Sequence, residues 1–185
     1  MLECEPLRIR DKVSFVVERA RRLEPDHFQP KGKFVVEHFR DGKLIGTHEL
    51  PNGIVDVGIN HILEVEFNGG TQVTTWYIGI IDNASFSALA AADTMASHAG
   101  WIEVTTYDEA TRPEWTAGTA AARAITNAVS VDFTISATKT LKGIFITTQN
   151  TKGGTTGTLW STAAFGSTVS VVDDDVLKIT YSISA

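Results

Sequence analysis

The stretch 148–165, TQNTKGGTTGTLWSTAAF, decides which kind of fold this chain can have. It sets three glycines, six threonines and one lysine between two apolar segments. A phosphate-cradling loop would make the protein a nucleotide-binding α/β enzyme, whereas a simple reversal would make it β-rich. A P-loop needs G-x-x-x-x-G-K-[ST] after a strand and before a helix, so that backbone N–H groups and the helix N-terminus face the anion. Here Lys152 precedes Gly153 and Gly154, and Gly157 is followed by Thr158, not by lysine. The spacing also fails G-x-G-x-x-G, and the downstream TLWSTAAF alternates as a strand does. Gly153-Gly154 supplies positive φ at low steric cost, which a tight reversal requires. The stretch therefore predicts a turn between two late strands.

Further strands are predicted on both sides of it. TTWYIGII, residues 74–81, is apolar almost throughout, as befits a strand buried on both faces. Period-two segments cover 34–39 and 44–50, joined across Arg40-Asp41-Gly42-Lys43, so a hairpin with Asp-Gly at its turn is expected. Pro51-Asn52-Gly53 reads as a second break. Residues 54–67 are ambiguous: Ile59, Ile62, Leu63 and Phe67 can share a helical face, while Val65-Glu66-Phe67 can already be extended. Residues 85–100, rich in small side chains, form either a short helix or a long ordered loop. Strands are expected at 101–107, 123–129, 131–136, 141–147, 158–163 and 176–184. Many short strands between Gly, Asn, Asp and Thr turns indicate an all-β fold, a β-sandwich with jelly roll preferred over immunoglobulin-like topology.

The N-terminal third differs in character. Residues 1–66 hold 10 of the 16 Lys/Arg, 12 of the 22 Asp/Glu and four of the five histidines. Within it, residues 11–23 predict a short amphipathic helix, with Asp11 as N-cap and Val13, Val16, Val17, Ala20 and Leu23 on one face. Arg19, Arg21 and Arg22 suit its C-terminal turn, and Pro25 stops it. About a dozen residues are marginal as a free helix, so that face needs a partner, either the rest of this chain or a neighbouring subunit. We expect an arm over residues 1–32, helical or extended, and a β-sandwich domain over 33–185.

Composition removes several function classes. The net charge of −6 argues against general nucleic-acid affinity, which needs cationic surface. No apolar run approaches a membrane span, and the N-terminus lacks a basic-then-apolar signal layout. With Cys4 the only cysteine, neither an internal disulfide nor a cysteine-built zinc site is expected. Acidic Glu3 and Glu5 flank Cys4 and blunt its reactivity.

Candidate chemistry is sparse. Asp173-Asp174-Asp175 is the first candidate for a cation, but a charged turn before the last strand is the better reading, since adjacent strand residues point to opposite faces. His38 and His48 can face one another across the predicted hairpin as a structural pair. Ser97, His98 and Asp93 cluster in sequence, yet triads are assembled from distant segments and no G-x-S-x-G elbow occurs. Asn83-Ala84-Ser85 matches a glycosylation sequon by chance. Among the tryptophans, Trp76 is expected in the core. Trp115, in the Pro- and Gly-flanked ATRPEWTAG, is expected to be exposed beside Arg112, either for sugar stacking or as a protein–protein hot spot. No catalytic residue, cofactor or metal is assigned.

Several segments in consistent order carry a resemblance: FRDGKLIG at 39–46, LPNGIVDVGINHILEVEFNGGTQVTTWYIGIIDN at 50–83, DTMASHAGWIEVTTYDEATRPEW at 93–115, TKGGTTGTLWSTAAF at 151–165 and VLKITYSISA at 176–185. Together they resemble small virion structural proteins of tailed bacteriophages. The resemblance implies a non-enzymatic protein made in the bacterial host cytoplasm and located on the virion capsid surface, as a decoration or cement protein. It implies the major capsid protein and further copies of this chain, as dimer or trimer, as partners, with neither nucleic acid nor membrane. Residues 1–30 are expected to reach a neighbouring copy or the shell. The alternative is a tail, neck or fibre-associated protein with a carbohydrate-binding β-sandwich.

Overall fold

The computed structural model describes residues 29–185. The predicted arm helix, with Val13, Val16, Val17, Ala20 and Leu23, and Cys4 lie outside the described residues. The first elements are β1 (Lys31–Arg40) and β2 (Lys43–Ile54), antiparallel neighbours joined by Asp41-Gly42. Both turn residues have positive φ, 50° and 71°, so this is the primed turn whose twist suits a two-residue hairpin. Phe34, Val36 and His38 alternate inward along β1, as its period-two pattern predicts.

Pro51-Asn52-Gly53 does not break the chain, contrary to the expectation from its composition. Asn52 still pairs with Gly32 of β1, while Gly53 and Ile54 pair with Thr162 and Ser161 of β9 (Leu159–Val171). One long strand thus passes from one sheet to the other at this corner. Strands that switch sheets at a bend are how sandwiches turn corners.

The ambiguous segment resolves as helix α1 (Asp56–Phe67). Its buried face is not the one the apolar spacing suggested. Gly58 is the fully buried helical residue, seated on the Trp160 backbone, and Ile62 one turn later packs partly against the core. Leu63 and Phe67 lie on the opposite side of a 3.6-residue turn and are exposed, Phe67 by 80%. Close approach of the helix to β9 decides this rotation, because a Cβ on Gly58 would sit 2.5 Å from the Trp160 carbonyl oxygen. Alanine at Gly58 gains about 1 kcal/mol in helix propensity, but overpacking against backbone costs about 1–3 kcal/mol. Gly58→Ala is therefore expected to lower stability in urea titration, and a stabilised variant would refute the close-packing account.

The remaining strands are β3 (Trp76–Asp82), β4 (Glu103–Val104), β5 (Glu114–Trp115), β6 (Ala124–Thr126), β7 (Val131–Thr134), β8 (Lys139–Thr147) and β10 (Val176–Ser184). They form an antiparallel sheet in the order β4-β3-β8-β9-β2-β1-β10-β6, with β5 beside β3 and β7 beside β10. The sheet curls through the β2 corner into two layers, and the fold is all-β and sandwich-like. One core cluster lies between the layers, uniting Phe34, Val36 and Leu50 with Ile78, Ile80, Ile144, Ile146, Leu177, Ile179 and Tyr181.

A second cluster sits on the other face of β3 and β8, where Ile81 and Phe145 meet Met95, Trp101 and Leu159. β3 is thus buried on both faces, as its unbroken apolar run predicts. Gly79 faces Phe145 across the ladder, and its missing side chain makes room for that ring. Residues 85–101 form an ordered loop that covers this face. The Asp93 carboxylate accepts from the Ala90 N–H and from Trp101 Nε1, and so pins the loop to its own tryptophan.

Candidate functional site

The glycine-threonine loop links β8 to β9, as predicted, and it does hold an anion, but one from its own chain. Gly153, with φ of 68°, donates its N–H to Glu103 Oε2 at 2.6 Å. Arg112 grips the same carboxylate through Nε and Nη2 at 2.8 and 2.7 Å. Its guanidinium also donates to the carbonyls of Gln149 and Gly154, and it lies 5.2 Å above the Phe145 ring. Lys152 turns away to the Tyr107 carbonyl and covers the Tyr107 ring at 3.9 Å. The Lys152 ammonium and the Gly153 and Gly154 N–H groups, which a nucleotide phosphate would recruit first, already have internal partners. Burial pushes the Tyr107 phenol above its ordinary pKa, with the Glu103 charge adding to the effect.

The expected exposure of Arg112 and Trp115 does not hold. Arg112 is 1% exposed and Trp115 6%. Local composition placed them on a surface loop, but β5 pairs with the start of β3, setting Trp115 opposite Trp76. Trp115 Nε1 then reaches the Tyr181 carbonyl at 3.3 Å. Neither side chain stands free to act as a surface hot spot in the described domain.

The other sequence clusters resolve in the same inward direction. Asp175 ends a turn before β10, as predicted, with Asp174 at a φ of 65°. Its buried carboxylate takes two bonds from Arg40, at 2.8 and 2.7 Å, one from His38 Nε2 at 2.8 Å and one from the Val172 N–H. Burial alone would raise its pKa, but these bonds and the neighbouring charge outweigh it and hold the carboxyl well below the usual range. Val36, not His38, stands opposite His48, which meets the Phe165 ring edge-on. Burial, with a smaller contribution from His38, lowers the pKa of His48. His98 stacks on Trp101 at 3.8 Å, and Ser97 bonds to Thr94, so Ser97, His98 and Asp93 do not form a relay. Among the described residues no group of three or more His, Cys, Asp or Glu is placed to hold a metal ion, and no helix is long and apolar enough to cross a membrane.

One hollow that the fold leaves open is largely apolar. A cavity of about 390 Å³ is bounded by Trp76, Trp115 and Trp160, by Ile62 of α1, and by Ile125, Ile146 and Ile183 of the strands. The fully buried Tyr181 holds two of these tryptophans: its hydroxyl accepts from Trp160 Nε1 and from Asn52 Nδ2, both at 2.8 Å, its carbonyl accepts from Trp115 Nε1, and its ring stacks on Phe34 at 4.2 Å. The indole N–H groups of Trp115 and Trp160 therefore point inward. Trp76, expected in the core, is instead half-buried at the rim, edge-on to both Trp160 and His61. Its Nε1 makes no hydrogen bond among the described residues. Sequence reasoning missed this cavity because its lining comes from seven elements separated along the chain. The one local hint is the pair of amphipathic tryptophans, Trp76 and Trp160, at the first and second positions of their strands.

A second apolar feature is the tip of the β1–β2 hairpin. Leu44 and Ile45, just past the turn, are each 51% exposed. The tip is held from below by Arg40, whose guanidinium is fixed by Asp175. A scan against protein-family models finds no match, and a search of curated proteins finds no similar chain.

Proposed function

We propose that this chain is a non-enzymatic structural protein of a tailed-bacteriophage virion, a decoration or cement protein that binds and stabilises the head shell. The observation that carries this reading is the pair of exposed aliphatic side chains, Leu44 and Ile45, presented on a braced hairpin. A rigid apolar tip loses little conformational entropy on docking, so it suits contact with a repeated surface. The Asp175 and Glu103 carboxylates are bound by Arg40, His38 and Arg112 and are not aimed at a common point, as a reacting centre requires. The resemblance of the segments between residues 39 and 185 to phage virion structural proteins supports the virion assignment. The partners are the major capsid protein and further copies of this chain, and the site of action is the capsid surface. Repetition across a lattice lets several weak contacts sum through avidity.

Cryo-electron microscopy of virions carrying the protein tests the reading, with density expected on the head shell. Burial of each aliphatic side chain is worth about 1.5 kcal/mol or more. The Leu44→Asp/Ile45→Asp variant is accordingly expected to bind at least about tenfold more weakly. Density on the tail, or full head occupancy of this variant, would overturn the proposal.

A second reading, a tail, neck or fibre protein that recognises a host-surface carbohydrate, draws support from Trp76. Its partly exposed face, with an Nε1 that bonds to none of the described residues, is what a sugar ring would meet. Glycan-array binding abolished by Trp76→Ala would favour it. Trp115→Ala is not an informative probe, because that side chain is built into the core.

A further inference from the structure

A single apolar groove runs from the tryptophan cavity to the start of the described chain. Two adjoining hollows, of about 390 and 380 Å³, share Ile62, Ile125, Trp160 and Ile183. The outer one is further lined by Pro30, Ala120, Ala124 and Ala185, with Arg123 and Ser184 as its polar members. Ile62, Ile125 and Ile183 pack against the core on one side only, leaving part of each side chain in water. Such a concave aliphatic surface gains free energy when an apolar partner covers it.

We propose that this groove seats the protein's own N-terminal segment, with residues 11–23 laid in as an amphipathic helix. The face formed by Val13, Val16, Val17, Ala20 and Leu23 then covers the shared isoleucines and Trp160. Three observations favour this occupant. Pro30 lines the groove, so the 29 preceding residues issue directly beside it. Leu23 is seven positions from Pro30, a tether of at most about 25 Å when extended, while a 13-residue helix is about 20 Å long. The segment can therefore fold back along the groove without a long loop. The side-chain types also match: four of the five facing residues are branched aliphatics, suited to a surface of isoleucine and tryptophan.

Tethering decides between this chain and a second copy. A segment joined by so short a linker experiences an effective concentration in the millimolar range, well above that of free chains in solution. Docking also supplies the partner that a helix of this length lacks by itself. The polar face of residues 11–23, with Arg19, Arg21 and Arg22, is left outward beside a domain that carries the net negative charge. The inference does not depend on the virion reading, since it concerns the protein before any assembly.

The test uses the full chain with Val17 replaced by the photocrosslinker p-benzoylphenylalanine, in an equal mixture of ¹⁴N- and ¹⁵N-labelled protein. Irradiation followed by peptide mass spectrometry is expected to join position 17 to peptides containing Ile62, Ile125 or Ile183 within chains of one isotope. Crosslinks joining light and heavy chains at those positions would overturn the proposal in favour of a second copy. Crosslinks confined to other surfaces would overturn it altogether. As an independent measurement, full-length Val13→Asp/Val16→Asp is expected to show red-shifted tryptophan emission and stronger acrylamide quenching, through exposure of Trp76 and Trp160. Emission and quenching equal to those of the unaltered protein would equally refute it.

Discussion

Replacing Arg112 with alanine is expected to lower the free energy of unfolding by about 3–5 kcal/mol, the usual effect of removing one partner from a buried ion pair. The guanidinium is wholly inside, bidentate to Glu103, and it also satisfies the carbonyls of Gln149 and Gly154. Alanine leaves the Glu103 carboxylate buried with only the Gly153 N–H as a donor, and two carbonyls lose a bond. Urea unfolding measures the loss directly. The double variant Arg112→Met/Glu103→Leu is expected to recover at least about 1 kcal/mol relative to Arg112→Ala, because no unpaired charge then remains inside. A loss below about 1 kcal/mol for the single variant would place Arg112 among ordinary surface cations. The same substitution should loosen residues 148–158 before the rest of the domain, visible as faster amide exchange there.

The second large effect concerns Asp175 and depends on pH. Asp175→Asn keeps the shape but removes the charge that meets Arg40 and His38, and it is expected to cost about 2 kcal/mol at neutral pH. Arg40 is partly exposed and regains water, which keeps the loss below that of Arg112. The folded-state pKa of Asp175 lies below its unfolded value of about 3.8. Its stabilisation is therefore fully present above that value and is lost as pH falls through the folded-state pKa. The stability gap between wild type and variant should hold constant from pH 7 down to about 5 and then close in acid. A gap that instead widened in acid would show that the carboxylate is not the stabilising form.

These two side chains also mark where sequence reading stopped. Asp175 was legible as a charged turn, since three aspartates before an alternating strand have no other local use. That the last of them is buried was not legible, because its partners Arg40 and His38 stand 135 and 137 residues away. Arg112 and Trp115 were misplaced on the surface for the same reason. Pro113 and Gly118 mark the ends of a very short strand, but they carry no information about its pairing with β3 or about Glu103, Gln149 or Tyr181. The helix at 56–67 was half legible. Its period fits, yet its rotation follows from a glycine contact with Trp160, more than ninety residues on. The candidate groove was not legible at all, although the two ends of the proposed interaction, the Val13–Leu23 face and Trp160, are each plain in the sequence.

By itself the sequence determined whatever depends on neighbours along the chain. Alternation set the hairpin and the last strand, whose predicted range 176–184 is the observed one. Asp41-Gly42 set a primed turn, and the lysine on the wrong side of Gly153-Gly154 ruled out a phosphate loop. Only the tertiary structure decided which polar groups went inside and what met them. It turned the glycine loop into a clasp around Glu103, the aspartate run into an anchor for the hairpin, and three tryptophans into one cavity. The physical reason is that backbone conformation is set by short-range sterics, whereas burial of a charge depends on partners that only the folded chain brings together.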